Sequence, residues 1–168
     1  PTSLNMNADL IEDAITPNTR AILAVEAFGN PLHMDRIASV AARHEIHLIE
    51  DCCEALGCAH RGRPAGAFGR VGVFAFYPNK QITTGEGGVI VTDDERLAEE
   101  CRSLRNHGRP IPSATGASSE QGTWLEHERL GFNYRMDELS AALGVAQMDR
   151  LDDIIQMRQS VANMYMTR

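Results

Sequence analysis

The sequence predicts an α/β fold with a mostly parallel sheet flanked by helices. Short apolar runs bounded by glycine and proline alternate with longer segments in which apolar residues recur at helical spacing. The 168 residues are 43% hydrophobic and 23% charged, which is the composition of an ordinary globular protein with one buried core. We therefore expect a single domain that contains a β-α-β unit.

The β-α-β unit comes first. The run Arg20 to Phe28 (RAILAVEAF) is short and apolar and ends just before Gly29, so it predicts a buried strand. From His33 to His44 the apolar residues recur at helical spacing, and Ile46 to Ile49 is a second short apolar run. A strand, a helix and a strand joined in this way place the two strands parallel.

Two more strands are predicted further along the chain. VGVFAFY (Val71 to Tyr77) and GVIVT (Gly88 to Thr92) are apolar, and the loop Pro78 to Gly87 joins them. The region before them, Gly57 to Gly72, is punctuated by glycine and proline and predicts turns.

Helices and a long loop are predicted in the last part of the chain. Asp93 or Asp94 can cap a helix that runs to about Arg105. Gly108 to Gly122 carries proline, serine and glycine without periodicity and predicts a mobile loop. Asp137 can cap a further helix, and helical character persists to the end of the sequence.

Composition and charge exclude several classes of protein. The formal net charge of −7 argues against a general nucleic-acid binder, which needs concentrated Lys and Arg. No apolar run approaches the roughly 20 residues that span a bilayer, and the first seven residues do not read as a signal peptide, so we expect no membrane association and a cytoplasmic protein. The four cysteines lack paired spacing for zinc or a disulfide scaffold, which predicts reduced, mostly buried thiols and no metal site.

Two side chains fall where an open α/β sheet binds its ligands, outside the C-terminal ends of parallel strands. Asp51 comes just after one predicted strand, and Lys80 follows the next. Each has an ordinary explanation, because an Asp after a strand usually caps a helix and a Lys in a loop is usually a solvated surface residue. Their joint placement favours a site.

Four segments carry a resemblance to a known family. IEDCCEALG, GVFAFYPNKQITTGEGGVIVTDD, SLRNHGR and LGFNYRMDELSAALGVAQM occur in the order found in DegT/DnrJ/StrS-type sugar aminotransferases. The chain resembles this family over nearly its whole length. The resemblance implies the fold type I architecture of PLP-dependent transferases, pyridoxal 5'-phosphate (PLP) as cofactor, and a homodimer with shared active sites.

The resemblance also implies roles for the two residues at the strand ends. Lys80 would hold the cofactor as a Schiff base, which requires a primary amine, and would later move a proton at the substrate carbon when its amine is neutral. Burial or neighbouring cations would favour the neutral amine. Asp51 would pair with the pyridinium nitrogen and keep it protonated.

Further cofactor and substrate contacts are implied more weakly. Glu54 stands beside the cofactor hydroxyl, where many relatives have Gln. Asn133 would donate to the cofactor phosphate of the opposite subunit, and His107 and Arg135 are candidate substrate or anion contacts. The alternative for Asn133 and Arg135 is that they shape the turn before the last helix, and His107 could simply finish a helix.

Two other positions depart from the family pattern. Ala75 replaces a serine whose hydroxyl binds the cofactor phosphate in many relatives. Thr83 could compensate for it, although Thr83 more simply forms the turn before the next strand. Glu26 stands where relatives often carry His, so a substrate contact at that position is in doubt.

The function implied is transfer of an amino group, with glutamate as the expected donor, to a keto group of a nucleotide-linked sugar. Such reactions serve polysaccharide, lipopolysaccharide or antibiotic sugar biosynthesis. The alternatives are a PLP-dependent sugar dehydratase, in which histidine replaces the lysine, and a non-catalytic regulatory relative. The presence of Lys80 argues against the first alternative, and its pairing with Asp51 argues against the second.

The resemblance assigns residues 1–150 to part of the PLP-binding large domain. Residues 151–168 would begin a helix that leads toward a small C-terminal domain. The family's phosphate loop and the aromatic residue that stacks on the pyridine ring would precede Pro1. We therefore expect a polypeptide of only this extent to bind PLP poorly and to be inactive.

Overall fold

The computed structural model describes residues 3–110 and 126–167. The part of the expected mobile loop from residue 111 onward lies outside these ranges. The chain forms two compact units, one of Pro1–Val91 with Glu138–Arg168 and the other of Thr92–Asp137. The unit that contains both chain ends is called the sheet unit here.

The sheet unit confirms the α/β prediction. Its elements, in chain order, are α1 (Ile11–Ala14), β1 (Ala21–Val25), a 3-10 turn (Ala27–Gly29), α2 (Met34–Arg43), β2 (His47–Asp51), β3 (Ala59–His60), β4 (Arg63–Pro64), β5 (Val71–Ala75) and β6 (Gly88–Val91), followed after the second unit by two helices. The main sheet has the order β1-β2-β5-β6, in which β1, β2 and β5 are parallel and β6 is antiparallel to β5. The two strands of the β-α-β unit are parallel, as predicted.

The core lies between the sheet and α2. Ile22 and Ala24 of β1 are buried, and Leu23 and Val25, which alternate with them, are exposed, which is the period of a strand with one covered face. The buried side chains of α2 recur at helical spacing and pack into the same cluster: Met34, Ile37, Val40 and Ala41.

The first strand is shorter than predicted. It ends at Val25, and the chain turns through Ala27–Gly29, where Phe28 and Gly29 adopt positive φ angles of 58° and 72°. A Cβ at Gly29 would lie 2.7 Å from the backbone oxygen of Glu54, so only glycine allows this close approach. The turn therefore brings the chain after β1 against the chain after β2.

The second unit contains α3 (Glu95–Leu104). Asp94 caps it as expected, since its carboxylate accepts a hydrogen bond from the backbone N–H of Leu97 at 3.0 Å. After the helix, Asn106 forms an antiparallel bridge with Asn133.

The helix predicted after Asp137 is two helices, α4 (Glu138–Met148) and α5 (Leu151–Met166), separated at Asp149 and Arg150. Nothing in the apolar pattern marks this break. Among the described residues no helix is long and apolar enough to cross a membrane.

All four cysteines are free, as predicted. The expectation that they are mostly buried is wrong, because only Cys52 is fully buried and the other three are partly exposed. Cys53 and Cys58 lie in the turns that follow β2, and Cys101 lies in the helix Glu95–Leu104.

Candidate active site

The ends of β2 and β5 form one edge of the sheet. The parallel pairing places Asp51, the last residue of β2, opposite Val73 of β5. The loop from Pro78 to Gly87 leaves from the same edge. The sheet thus brings the segments that carry Asp51 and Lys80 to the place where parallel sheets bind ligands.

Asp51 is held by the turn that follows it. Its Oδ1 accepts a hydrogen bond from the backbone N–H of Cys53 at 3.1 Å. Its backbone oxygen accepts the N–H of Glu26 at 3.1 Å. The carboxylate is therefore fixed to the strand end by its own main chain.

Lys80 lies in a tight turn, with its N–H bonded to the Tyr77 oxygen at 3.0 Å. Its Nζ is 3.4 Å from Oε1 of Glu54, and the lysine side chain is only 17% exposed. The charged group beside this amine is an anion rather than the expected cation. Lys80 is also the single lysine of the sequence. The other residues counted as Lys or Arg are all arginine.

Glu54 is shared between the lysine and the turn after β1. Its Oε2 accepts the backbone N–H of Phe28 at 2.8 Å. This hydrogen bond, and after it the Lys80 ammonium, lower the pKa of Glu54. Glu54 is therefore ionised at neutral pH, although its 41% exposure keeps the energy of the ion pair small.

Cys53 is bonded to Asp51 and was not predicted as a site residue. Its thiol is within electrostatic range of Asp51, Lys80 and Glu54, which shows that the three predicted residues form one cluster. Burial, followed by the hydrogen bond to Asp51, raises the pKa of Cys53 to about 11. The thiol is protonated at neutral pH and is a poor nucleophile.

The Thr83 hydroxyl belongs to the turn, as the simpler interpretation held. It donates to the Phe76 oxygen at 2.9 Å and accepts the N–H of Gly85 at 2.9 Å. The loop is therefore closed by its own side chain.

The other predicted contacts lie together in the second unit. The bridge between Asn106 and Asn133 is extended by a hydrogen bond from the His107 N–H to the Phe132 oxygen at 2.8 Å. Asn133 and Arg135 are exposed, and Nη1 of Arg135 donates to Oδ1 of Asn106 at 3.0 Å. The arginine thus has a structural contact and keeps an exposed position.

His107 is placed beside cations. Burial, followed by the charges of Arg135 and Arg109, lowers the pKa of His107. The imidazole is therefore neutral at neutral pH. It can donate a hydrogen bond to an anion, but it adds no positive charge.

Comparison with known proteins agrees with this geometry. A model of the DegT/DnrJ/EryC1/StrS aminotransferase family matches residues 1–168. The GDP-perosamine synthase of Caulobacter vibrioides is 40% identical over 165 residues, which are 98% of this chain and 42% of that protein. The chain therefore spans about two fifths of the length of this relative.

Solved structures show the same architecture. The aminotransferase of Psychrobacter cryohalolentis superposes with a TM-score of 0.84 at 34% identity, over 90% of this chain and 38% of that one. The E. coli GDP-4-keto-6-deoxy-D-mannose-3-dehydratase with bound hydrated PLP superposes with a TM-score of 0.86 at 32% identity, over 96% of this chain and 43% of that one. The α/β fold with a mostly parallel sheet is shared with PLP-dependent aminotransferases, as the resemblance implied. The match over its whole length shows that this chain belongs to the DegT/DnrJ/EryC1/StrS aminotransferase family.

Proposed function

We propose that the full-length protein is a PLP-dependent aminotransferase that transfers an amino group, with glutamate as donor, to a keto group of a nucleotide-linked sugar. The observation that carries this proposal is the cluster of Lys80, Glu54 and Asp51 at one edge of the sheet. This chemistry needs a primary amine and a carboxylate that is fixed in place, and Lys80 and Asp51 supply them.

The residues present fit PLP. The amine of Lys80 is held by one long contact of 3.4 Å to Glu54, so it is within reach of an aldehyde without breaking a strong bond. The Asp51 carboxylate uses Oδ1 for the Cys53 N–H. A carboxylate has acceptor capacity for more than one donor, which suits a pyridinium N–H.

Lys80 has two tasks in this proposal. Its amine would hold PLP, and the same amine would move a proton at the substrate carbon. Arginine could do neither, because its guanidinium does not lose its proton in proteins. A single lysine among so many arginines fits a position that requires a primary amine.

Asp51 and Glu54 act on charge. When bound, PLP supplies an electron sink, and Asp51 keeps the ring nitrogen protonated so that the sink is strong. Glu54 holds a negative charge beside the Lys80 amine and favours a protonated partner there.

Asn133, Arg135 and His107 are proposed as contacts to the phosphate of a partner's cofactor and to the substrate. Their support is the exposure of Asn133 and Arg135, the partial exposure of His107, and the grouping of all three in one unit. We further propose a cytoplasmic homodimer with shared active sites. Apolar side chains of α4, such as Leu143 and Val145 at 44% and 64% exposure, are available to pack against another chain or another part of this protein.

The assignment of residues 1–150 to the large domain and of residues 151–168 to the start of a connecting helix is part of the same proposal. The helix α5 begins at Leu151, which supports it. A polypeptide limited to these 168 residues is expected to bind PLP poorly.

The dehydratase activity of one structural relative is the second candidate. The family resemblance implies that such dehydratases replace the lysine by histidine, whereas this chain has Lys80. The aminotransferase is therefore favoured over deoxygenation and over a non-catalytic role.

A visible absorption spectrum tests the proposal. PLP bound through a lysine absorbs where the protein alone does not, so the full-length protein is expected to show this band and to transfer an amino group from glutamate. Lys80→Ala and the charge-preserving Lys80→Arg should both lose the band and the transfer. Retention of turnover in either variant would show that Lys80 is not the cofactor lysine.

A further inference from the structure

The loop that carries Lys80 is hydrogen-bonded to side chains of α4 and α5. Nη2 of Arg158 in α5 donates to the backbone oxygen of Lys80 at 2.7 Å. Oε1 of Gln147 in α4 accepts the N–H of Thr83 at 3.1 Å. Two main-chain groups of the loop, three residues apart, are thus bonded to side chains of two helices.

The same helices touch the segments around the site by close packing. A Cβ at Gly57, in the turn that follows Asp51 and Glu54, would lie 2.2 Å from Cδ1 of Ile155. The helix α5 therefore contacts both segments that supply the site. Arg158 is distinct among these contacts, because it alone reaches the main chain of the lysine itself.

The bond from Arg158 restrains the direction of the lysine side chain. The Lys80 N–H is already fixed to Tyr77, so fixing the Lys80 oxygen as well immobilises the main chain on both sides of its Cα. A hydrogen bond from a charged guanidinium is also stronger than one between neutral groups. The long side chain of Lys80 then starts from a defined backbone and ends beside Glu54.

We propose that Arg158 is a positioning residue for Lys80, whose bond to the lysine main chain presents the amine to the cofactor. This inference rests on the proposed function. It adds a part of the chain far from the strand ends to the machinery of the site, since residues 80 and 158 are 78 positions apart. Arg158 touches neither the substrate nor the cofactor in this account.

The test compares three variants of the full-length protein: Arg158→Ala, Arg158→Lys and, as a control, Gln159→Ala. Gln159 is the next residue of α5, and its side chain bonds within the helix to Asn163. PLP is added to cofactor-free protein, the visible band is followed in time, and bound PLP is trapped by borohydride reduction and located by peptide mapping. Lys80 is the only lysine of this sequence, so mapping also separates it from the lysine introduced at position 158.

Arg158→Ala is expected to slow covalent capture of PLP by about tenfold, the order expected for loss of one hydrogen bond from a charged donor. Arg158→Lys keeps a charged donor and should recover part of the rate, and Gln159→Ala should capture PLP like the unaltered protein. A lower melting temperature in Arg158→Ala with unchanged capture per folded molecule would overturn the proposal, since this is what a purely structural arginine predicts.

Hydrogen exchange gives a second readout that needs no cofactor. Residues 78–87 should exchange faster in Arg158→Ala than in Gln159→Ala, and equal exchange would also overturn the proposal. Different results reject the proposed function and the role of Arg158. If the unaltered protein captures no PLP at Lys80, the proposed function is wrong and this inference falls with it, whereas normal capture in Arg158→Ala rejects this inference alone.

Discussion

Near the end of β2, the carboxyl groups on the two faces of the main sheet differ in their burial and in their partners. Glu50 and Glu26 lie on the buried side at 0% and 1% exposure, whereas Glu54 with Asp51 lies on the side of Lys80. Glu50 and Asp51 are neighbours in one strand, and strand alternation sends their side chains to opposite faces. The same chemical group is thus used for folding on one face and is available for chemistry on the other.

The partners of each carboxyl group make the difference. Glu50 accepts backbone N–H groups of Gly66, Phe68 and Gly69, so its oxygens are fully engaged by main chain. Glu26 has a buried Oε2 without a hydrogen-bond partner, and its pKa is raised by burial and by the charge of Glu50. Burial of a carboxyl group therefore does not by itself indicate a site, and Glu26 is too deeply buried to contact a substrate from this position.

Removing the Glu50 carboxylate should have the largest effect on folding. Glu50→Ala leaves one buried and two partly buried N–H groups without an acceptor, which is expected to cost about 3 kcal/mol or more of the free energy of unfolding. Urea titration measures it, with Glu99→Ala on the exposed surface of α3 as control. Equal stability of the two variants would show that the Glu50 carboxylate does not stabilise the fold.

Asp51→Asn should change the stability little and the turnover strongly. The amide oxygen can still accept the Cys53 N–H, so the urea midpoint should change little. Turnover should fall about a hundredfold or more, because a neutral amide does not keep the ring nitrogen protonated. A near-normal rate, measured with glutamate and a nucleotide-linked keto sugar, would show that Asp51 belongs with Glu50 as a structural residue.

Glu26 should make stability depend on pH. Its pKa in the folded protein is raised above its ordinary value of 4.5, so the folded state binds the proton more tightly than the unfolded chain. The stability that Glu26 contributes is fully present below its pKa in the unfolded chain, and it is lost as pH rises through its pKa in the folded protein. Glu26→Gln should flatten this dependence, with a change of about 1 kcal/mol in the free energy of unfolding. Parallel stability curves for the two proteins across this range would contradict the assignment.

Glu54→Gln should have the smallest effect. The pKa of Glu54 is lowered, so its ion pair with Lys80 is present above that pKa and is lost as pH falls through it. Glutamine keeps an acceptor for the Phe28 N–H but removes the negative charge beside the amine. The visible band of bound PLP should then form at lower pH, with turnover changed by less than about tenfold because the site is partly exposed. An unchanged pH midpoint would mean that Glu54 does not act on the amine.

Sequence patterns alone predicted the elements that depend on local periodicity. The β-α-β unit, α3 with its cap at Asp94 and the strands before and after the lysine loop all follow from apolar spacing and turn residues. The 3-10 turn after β1 and the break between α4 and α5 were missed. The turn depends on the fit of Gly29 against Glu54, a contact between residues distant in sequence.

The sequence by itself determined the identity of the chemical groups. Motif order gave the family, and the single lysine required by amine chemistry could be recognised without coordinates. Tertiary structure alone decided which carboxyl groups meet which donors, because Glu26, Glu50 and Glu54 differ only in their surroundings. It also placed Arg158 at the main chain of Lys80, since hydrogen bonds across 78 positions depend on the path of the chain and leave no periodic signal.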